Sequence, residues 1–544
     1  MLLHDDVIHC HDYLLVKYPT NRRTLHYIGK VESCIRFPDL QDISTVSRED
    51  IVSKIPKQHQ ELQGSIIATS MKVHCSIRDE IIKQENGSFS GGKLELTVKE
   101  ESVNNIILSY KHKELDDGYK NSSSFSASKH FFDARSKIEE SHVFKIIQQL
   151  PKGASLHTHV LAGVSIDFIV EKFTYMDNIY GGFFNGVFKL KFFKPGEQYH
   201  PWKLLKDYRK DANFDDWLKT QLSLVYDTYD SVDDIWAKFK KTFSTMYDMI
   251  CYKPVFEMYI EQFLNELYKD NVVYTEVKGT FMPLYDLNGT KFDTKDFFRI
   301  FINTVEKFKK SHTNFVGLKY IHSIYRGVNN NVLKDGLDAL IELKKEFPDF
   351  IAGFDFVGYE EEGHSLHHYR KELLNASKFD LKFFFHAGET NWFGHTDLNL
   401  IDAMLMNSTR IGHGFALPKH PELIKMGITK NIPLELCPIS NQVLKLIEDP
   451  RNHPLTSLLA INYPIVICND DPALWNATGV SYDWYVVFMT MTPKNAGLGF
   501  LKQMALNSLQ FSVLSNLERS EAFNVWERQW DRFLDNILAN HNLV

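Results

Sequence analysis

Two histidines one residue apart, His157 and His159 in "GASLHTHV" (153–160), are the first residues in this chain whose spacing could do chemistry. On a β-strand, residues i and i+2 project from the same face, so both imidazoles can reach one point. Further along stand His386 and Glu389 in "FHAGE", His413 in "RIGHG", Asp470 and Asp471 in "NDDP", and Glu360 in "VGYE". Each alone has an ordinary reading. A strand histidine is usually a satisfied core or surface residue. Asp470–Asp471 before Pro472 is a common turn, and Cys437 in "CPISN" reads as a small buried residue. As a set they say more. Three neutral imidazoles (His157, His159, His386) and one carboxylate (Asp470) suit one Zn²⁺ per chain, with a further position open to water or substrate. A single carboxylate leaves such a site net positive, which keeps the ion Lewis acidic and lowers the pKa of its water to about 7. Glu389, three residues after His386, can serve as general acid or base beside the ion. His413 can orient or deprotonate the water, and Asp471 can accept a hydrogen bond from a substrate N–H. The constellation is hydrolytic. No Lys ends the fourth β-like run to act as a carbamylated bridge, which disfavours a binuclear centre.

Such residues need a scaffold that brings distant segments together. Eight short β-like runs supply one: 153–160, 271–279, 314–323, 350–360, 381–389, 408–414, 432–441 and 464–472. Helix-like segments such as "VLKDGLDALIELKKEF" and "HPELIKMGI" lie between most of them. Eight strands alternating with helices predict an α/β fold, a (β/α)₈ TIM-type barrel. The apolar runs give way to His, Glu or Asp at their C-terminal ends, the face where such barrels carry their active sites. The stretch from 160 to 271 is too long for one βα unit and predicts an insertion after the first strand. In "KIEESHVFKIIQQLPKG", Val143, Ile146 and Ile147 share a helical face that stops at Pro151 and Gly153.

The bulk properties narrow the partners. A net charge of −7 gives no reason to expect nucleic acid. No apolar run reaches 18 residues, so no membrane span is expected. The first residues, "MLLHDDVIHCHDYLLVKY", lack the basic and apolar regions of a secretory signal. "HDDVIHCHD" reads as a solvated terminus rather than a metal site. "YLLVKYPTNRRTLHYIGKV" alternates around a turn and predicts a β-hairpin. Cys10, Cys34, Cys75, Cys251, Cys437 and Cys468 show no paired spacing, against a disulfide scaffold or zinc ribbon. Sequons at Asn86, Asn121, Asn288, Asn375, Asn407 and Asn476 permit secretion without requiring it.

"LPKGASLHTH", "FHAGET", "TRIGHGFAL", "CPISNQVLKL", "RNHP" and "DDPA", in that order, resemble the adenosine deaminase family, in the wording of its secreted growth-factor-related branch. The resemblance covers about 78–544. It implies a zinc enzyme that converts adenosine or deoxyadenosine to inosine or deoxyinosine and ammonia, working outside the cell. It implies His157, His159, His386 and Asp470 as zinc ligands, Glu389 as the acid that protonates N1, and His413 acting on the attacking water. Asp471 is then on N7, the Gly358 backbone is against the ring, and Trp236 lines the pocket. Periodicity alone places Trp236, Phe239, Phe243 and Met246 on one apolar helix stripe, as compatible with core as with pocket.

The same resemblance organises the chain. Residues 1–64 have no family counterpart and read as small β or disordered. Residues 65–127 match a helical dimerisation extension, 128–544 the (β/α)₈ domain, and 172–235 an inserted receptor-binding domain. A homodimer that meets a cell-surface receptor or a glycosaminoglycan is therefore implied. Three departures stand out: the insertion has no cysteine, Tyr325 precedes Arg326 where the family has His, and Val160 follows His159 where the secreted branch has Asp. These departures keep a second reading open, a catalytically weak, growth-factor-like homologue acting through dimer and insertion.

Overall fold

The computed structural model describes the backbone of residues 8–10, 13–16, 26–30, 57–196 and 199–541, and side chains over 72–196 and 199–540. It divides into two compact units, Met1–Gly87 and Ser88–Val544. In the first, Ile8–Cys10, Tyr13–Val16 and His26–Lys30 pair as an antiparallel sheet, and a helix runs over Lys57–Ser88. The hairpin expected over 13–31 thus has strands at Tyr13–Val16 and His26–Lys30. Most of "HDDVIHCHD" lies outside the described residues, as do the side chains of Cys10 and Cys34. No helix among the described residues is long and apolar enough to cross a membrane.

The second unit is built on eight parallel strands. They are β1 (Gly153–His159), β2 (Val272–Gly279), β3 (Gly317–Tyr325), β4 (Ile351–Val357), β5 (Lys382–Phe383 and His386–Ala387), β6 (Ile411–His413), β7 (Leu434–Leu436) and β8 (Ile465–Ile467). Each falls within or beside one of the eight predicted runs. Neighbours pair in chain order, β1–β2–β3–β4–β5 and then β5–β6–β7–β8. The ring closes where His159 N–H donates to the Asp470 carbonyl at 3.0 Å and Asp470 N–H donates to the His157 carbonyl at 3.1 Å. This closure sets the candidate ligands of the first and last strands side by side.

Helices fill the crossovers because their sequences carry both stripe and cap. Thr294–Ser311, between β2 and β3, starts on an Asp293/Asp296 capping box and buries Phe297, Phe298, Phe301 and Phe308. The helix His142–Gln149 is capped by Ser141 and buries Val143, Ile146 and Ile147, the face predicted. Gly153, at φ +76°, opens β1 where the helix Leu498–Gln510 comes close; a Cβ there would stand 2.4 Å from Ser508 Oγ. Only glycine fits both constraints.

Before the barrel, Val98–Lys120 begins on a Thr97/Glu100 capping box. It buries Lys111, whose Nζ donates to Thr492 Oγ1 at 2.6 Å and to the carbonyls of Pro493 and Ala496 at 2.9 and 2.8 Å. Between β1 and β2 lies a separate antiparallel sheet of Ile179–Phe184, Val187–Phe192 and Lys203–Leu204, followed by the helices Phe214–Leu222 and Val232–Ile250. Aromatic side chains pack the core of this region. Buried Phe188 meets Trp217 at 4.9 Å, Phe183 at 5.1 Å and Tyr208 at 5.5 Å between ring centres.

Candidate active site

The carboxyl ends of β1, β5, β6 and β8 converge on one point. There the donor atoms of His157, His159, His386 and Asp470 all lie within 4.8 Å of one another. His157 Nε2 lies 3.3 Å and His159 Nε2 3.1 Å from Asp470 Oδ1, yet neither His157 Nε2 nor Asp470 Oδ1, both buried, has a partner in hydrogen-bond geometry. Orphaned groups of this kind are costly in a folded interior unless a ligand satisfies them. The set therefore fits a metal ion by donor chemistry as well as by distance.

The other ring nitrogens are held. His157 Nδ1 is 2.7 Å from Glu435 Oε2 on β7, and His386 Nδ1 is 2.7 Å from Asp355 Oδ2 on β4. Each carboxylate turns the opposite nitrogen toward the common point, the arrangement that orients metal-binding imidazoles elsewhere. Ser440 Oγ donates to Asp470 Oδ2 at 2.6 Å. Beneath this layer Lys278 Nζ sits 2.8 Å from Asp355 Oδ2 and 3.1 Å from Glu435 Oε2. Arg410 pairs with Glu435 and Glu276, both at 2.7 Å. All these charged side chains are fully buried.

Glu389 lies beside the cluster and outside it. Its backbone N–H and that of Gly388 donate to Glu360 at 2.8 and 3.0 Å, which fixes the loop after β5. Its Oε1 has no partner. Burial, and then the charges of Asp470 and Glu360, push its carboxyl well above the usual range, the direction that favours its proton-donating form. His413 Nε2 stands 3.6 Å from Glu389 Oε1 and 3.9 Å from Asp470 Oδ2, and burial holds its imidazole neutral. Asp471 Oδ1 is also buried and unpartnered. Burial and its neighbour Asp470 push its carboxyl upward too. His413 and Asp470 both adopt left-handed backbone, at φ 59° and 57°; such strain gathers at functional sites.

These groups border a cavity of about 310 Å³, within the range of small-molecule sites. Trp236, Phe239 and Phe243 from the helix Val232–Ile250 and Gly358 after β4 line it, as do Val160 and Tyr325. The helix stripe is therefore divided: Met246 is core and Phe239 faces the cavity. Trp236 is buried and stacks on Tyr359 at 4.9 Å. Val160 falls outside β1, in the short turn Val160–Ala162, and Tyr325 is 46% exposed at the rim.

The structure thus brings together every residue singled out for chemistry. Glu360, first grouped with them, serves as the acceptor that holds the Glu389 loop. Sequence reasoning missed Asp355, Glu435, Lys278 and Arg410. Their signal is a charge inside an apolar strand, as in "GFDFV" and "PLELC".

A parallel barrel that gathers polar groups at its strand ends is a barrel enzyme, and the metal-ligand set, acid and base assembled here suit hydrolysis. More narrowly, the chain belongs to the adenosine deaminase family. The family model "Adenosine deaminase" matches residues 214–524, and "Adenosine/AMP deaminase N-terminal" matches 59–147. Adenosine deaminase 2 of Homo sapiens is 39% identical over 476 residues, covering 85% of this chain and 93% of that protein. An adenosine deaminase of Phlebotomus duboscqi is 40% identical over 458 residues, covering 82% of this chain and 88% of that protein. Among solved structures, the N6-methyl-AMP deaminase of Arabidopsis thaliana shares the fold at a TM-score of 0.51 and 16% identity, over 71% of this chain and 98% of that chain.

Proposed function

We propose that this chain is a zinc-dependent hydrolase that deaminates adenosine or deoxyadenosine. One observation carries the reading: four buried, unpartnered polar atoms, His157 Nε2, Asp470 Oδ1, Glu389 Oε1 and Asp471 Oδ1, belong to residues gathered at one site. His157, His159, His386 and Asp470 would hold the zinc, which supplies Lewis acidity toward water when bound. Glu389, its carboxyl pushed upward by burial, donates to purine N1 and makes C6 electrophilic. N7 offers only a lone pair, so its partner must be a donor; Asp471, expected from the sequence as an acceptor, can fill that role in the protonated form that burial and Asp470 favour. His413 accepts a proton from the attacking water. Trp236 and the Gly358 backbone confine the base.

The purified chain should convert adenosine to inosine, lose that activity to a chelator, and recover it with Zn²⁺. Absence of turnover in a folded, zinc-loaded sample refutes the proposal.

Val160 favours a second reading, that of a weak enzyme acting outside the cell through a homodimer of its 65–127 extension and a 172–235 domain that meets a receptor or glycosaminoglycan. Val160 lines the cavity directly after His159 and cannot accept a hydrogen bond from a sugar hydroxyl. An unpaired buried hydroxyl costs about 1–3 kcal/mol. Val160→Asp should lower KM for adenosine with zinc content unchanged; equal KM in both proteins removes the argument for weakened substrate binding.

A further inference from the structure

The two ends of the catalytic cavity differ in chemistry. The deep end carries the buried polar atoms without a hydrogen-bond partner: Glu389 Oε1, Asp470 Oδ1, Asp471 Oδ1 and Ser323 Oγ. Ser323 stands opposite Asp355 across β3 and β4, and two residues further along those strands come Tyr325 and Val357. These two belong to the outer end, with Val160, Leu161, Phe239 and Phe243. Val160 closes over Gly279, where a Cβ would stand 2.9 Å from Val160 Cγ1. No carboxylate borders the outer end, because those that line the cavity are Glu389, Asp470 and Asp471. Of the two lysines in the lining, Lys278 is deep between Asp355 and Glu435, and Lys240 pairs with Glu362. The Tyr247 hydroxyl pairs with the Cys251 thiol. Thr280 and Tyr325 bring the remaining hydroxyls, one half-buried and one at the exposed rim, where water can satisfy them. Among the described residues, no polar atom of the outer end is buried without a partner.

The shape of a nucleoside sets which end meets the sugar. C6 and N1 lie on the six-membered ring of the purine, and the sugar hangs from N9 on the five-membered ring. With C6 and N1 at the buried candidate zinc ligands and Glu389, the sugar extends toward the opening, where Tyr325 stands. A site rejects an analogue that lacks a hydroxyl when the loss leaves its own buried polar groups unpaired. The outer end holds no such group. We infer that this chain reads the base and not the sugar hydroxyls, so that its substrates include adenine nucleosides with deoxygenated sugars, 5′-deoxyadenosine among them. The inference rests on the deaminase reading above and widens its substrate class.

The test compares kcat/KM for adenosine, 5′-deoxyadenosine and 2′,3′-dideoxyadenosine in one zinc-loaded preparation. Together the two analogues remove every sugar hydroxyl, and neither changes the base. Both should be turned over within about tenfold of adenosine, far from the rejection of about 10⁴–10⁵-fold shown by sites built around a substrate hydroxyl. Val160→Asp sets an acceptor in the outer end and should create selectivity. Its kcat/KM for adenosine should rise at least about tenfold relative to one or both analogues. Val160→Thr, closer in shape, should move the same ratio in the same direction, and zinc analysis of both variants checks that the neighbouring His159 still holds its place. Loss of more than about tenfold on either analogue in the parent chain, with adenosine turned over, overturns the inference alone. So does an equal effect of both substitutions on all three substrates. Absence of turnover on every nucleoside, adenosine included, refutes the deaminase reading and this inference with it.

Discussion

Replacing Glu389 with Gln lowers kcat for adenosine by about 10²–10⁴-fold, the range for loss of a positioned general acid, and leaves zinc content unchanged. The two halves of this expectation come from different parts of the geometry. Glu389 is outside the four residues whose donor atoms converge, so metal retention does not depend on it. Its Oε1 is buried and unpartnered while its backbone N–H is fixed on Glu360. The side chain is thus held ready by its loop rather than by partners a substrate would have to displace. Gln preserves the shape and can still donate an N–H to N1, but it cannot give up a proton. The variant should therefore bind adenosine with similar KM and fail at the chemical step. Ultraviolet assay of inosine formation with parallel metal analysis separates the outcomes. Near-normal kcat would show that N1 is protonated from elsewhere. Loss of zinc would show that Glu389 belongs to the metal site.

The barrel was legible in the sequence because its strands are short apolar runs with turn signals between them, and each run has a strand of the ring within or beside it. The candidate site was legible because His157, His159, His386, His413, Asp470 and Asp471 stand at the ends of those runs, where polarity interrupts apolarity. What holds them was not. His157 meets Glu435 across 278 positions of sequence, and His386 meets Asp355 across 31. No local periodicity encodes which inward-facing charge meets which. Only closure of the ring, through the His159–Asp470 hydrogen bond, brings these strands into contact. The break in β5 between Phe383 and His386 was equally hidden, because Phe383, Phe384 and Phe385 run on without a turn signal up to His386. Trp236 shows the opposite case: one helical stripe serves core and cavity at once, and only the packing divides it.

Among those hidden residues, Lys278 has the largest expected effect on stability. Lys278→Met should destabilise the fold by about 3–5 kcal/mol, the cost of removing one partner from a buried charge cluster. Lys278 Nζ bridges Asp355 at 2.8 Å and Glu435 at 3.1 Å, and all three side chains are inaccessible to solvent. Burial alone would push both carboxyls upward. His386 and Lys278 hold Asp355 below its ordinary range, and Lys278 and Arg410 do the same for Glu435. Without the ammonium, Glu435 keeps Arg410, but Asp355 keeps only His386 and backbone N–H groups. One uncompensated carboxylate must then protonate or draw in water. Because Asp355 and Glu435 also orient the two imidazoles, zinc affinity should fall about 10–100-fold, as when an outer carboxylate of a metal site is lost. Denaturant unfolding and zinc competition measure the two effects separately. A double-mutant cycle decides the cause. If the damage is the unpaired charge, Asp355→Asn costs less in the Lys278→Met background than in the parent. Strictly additive losses would mean that Lys278 acts by packing and not by its charge.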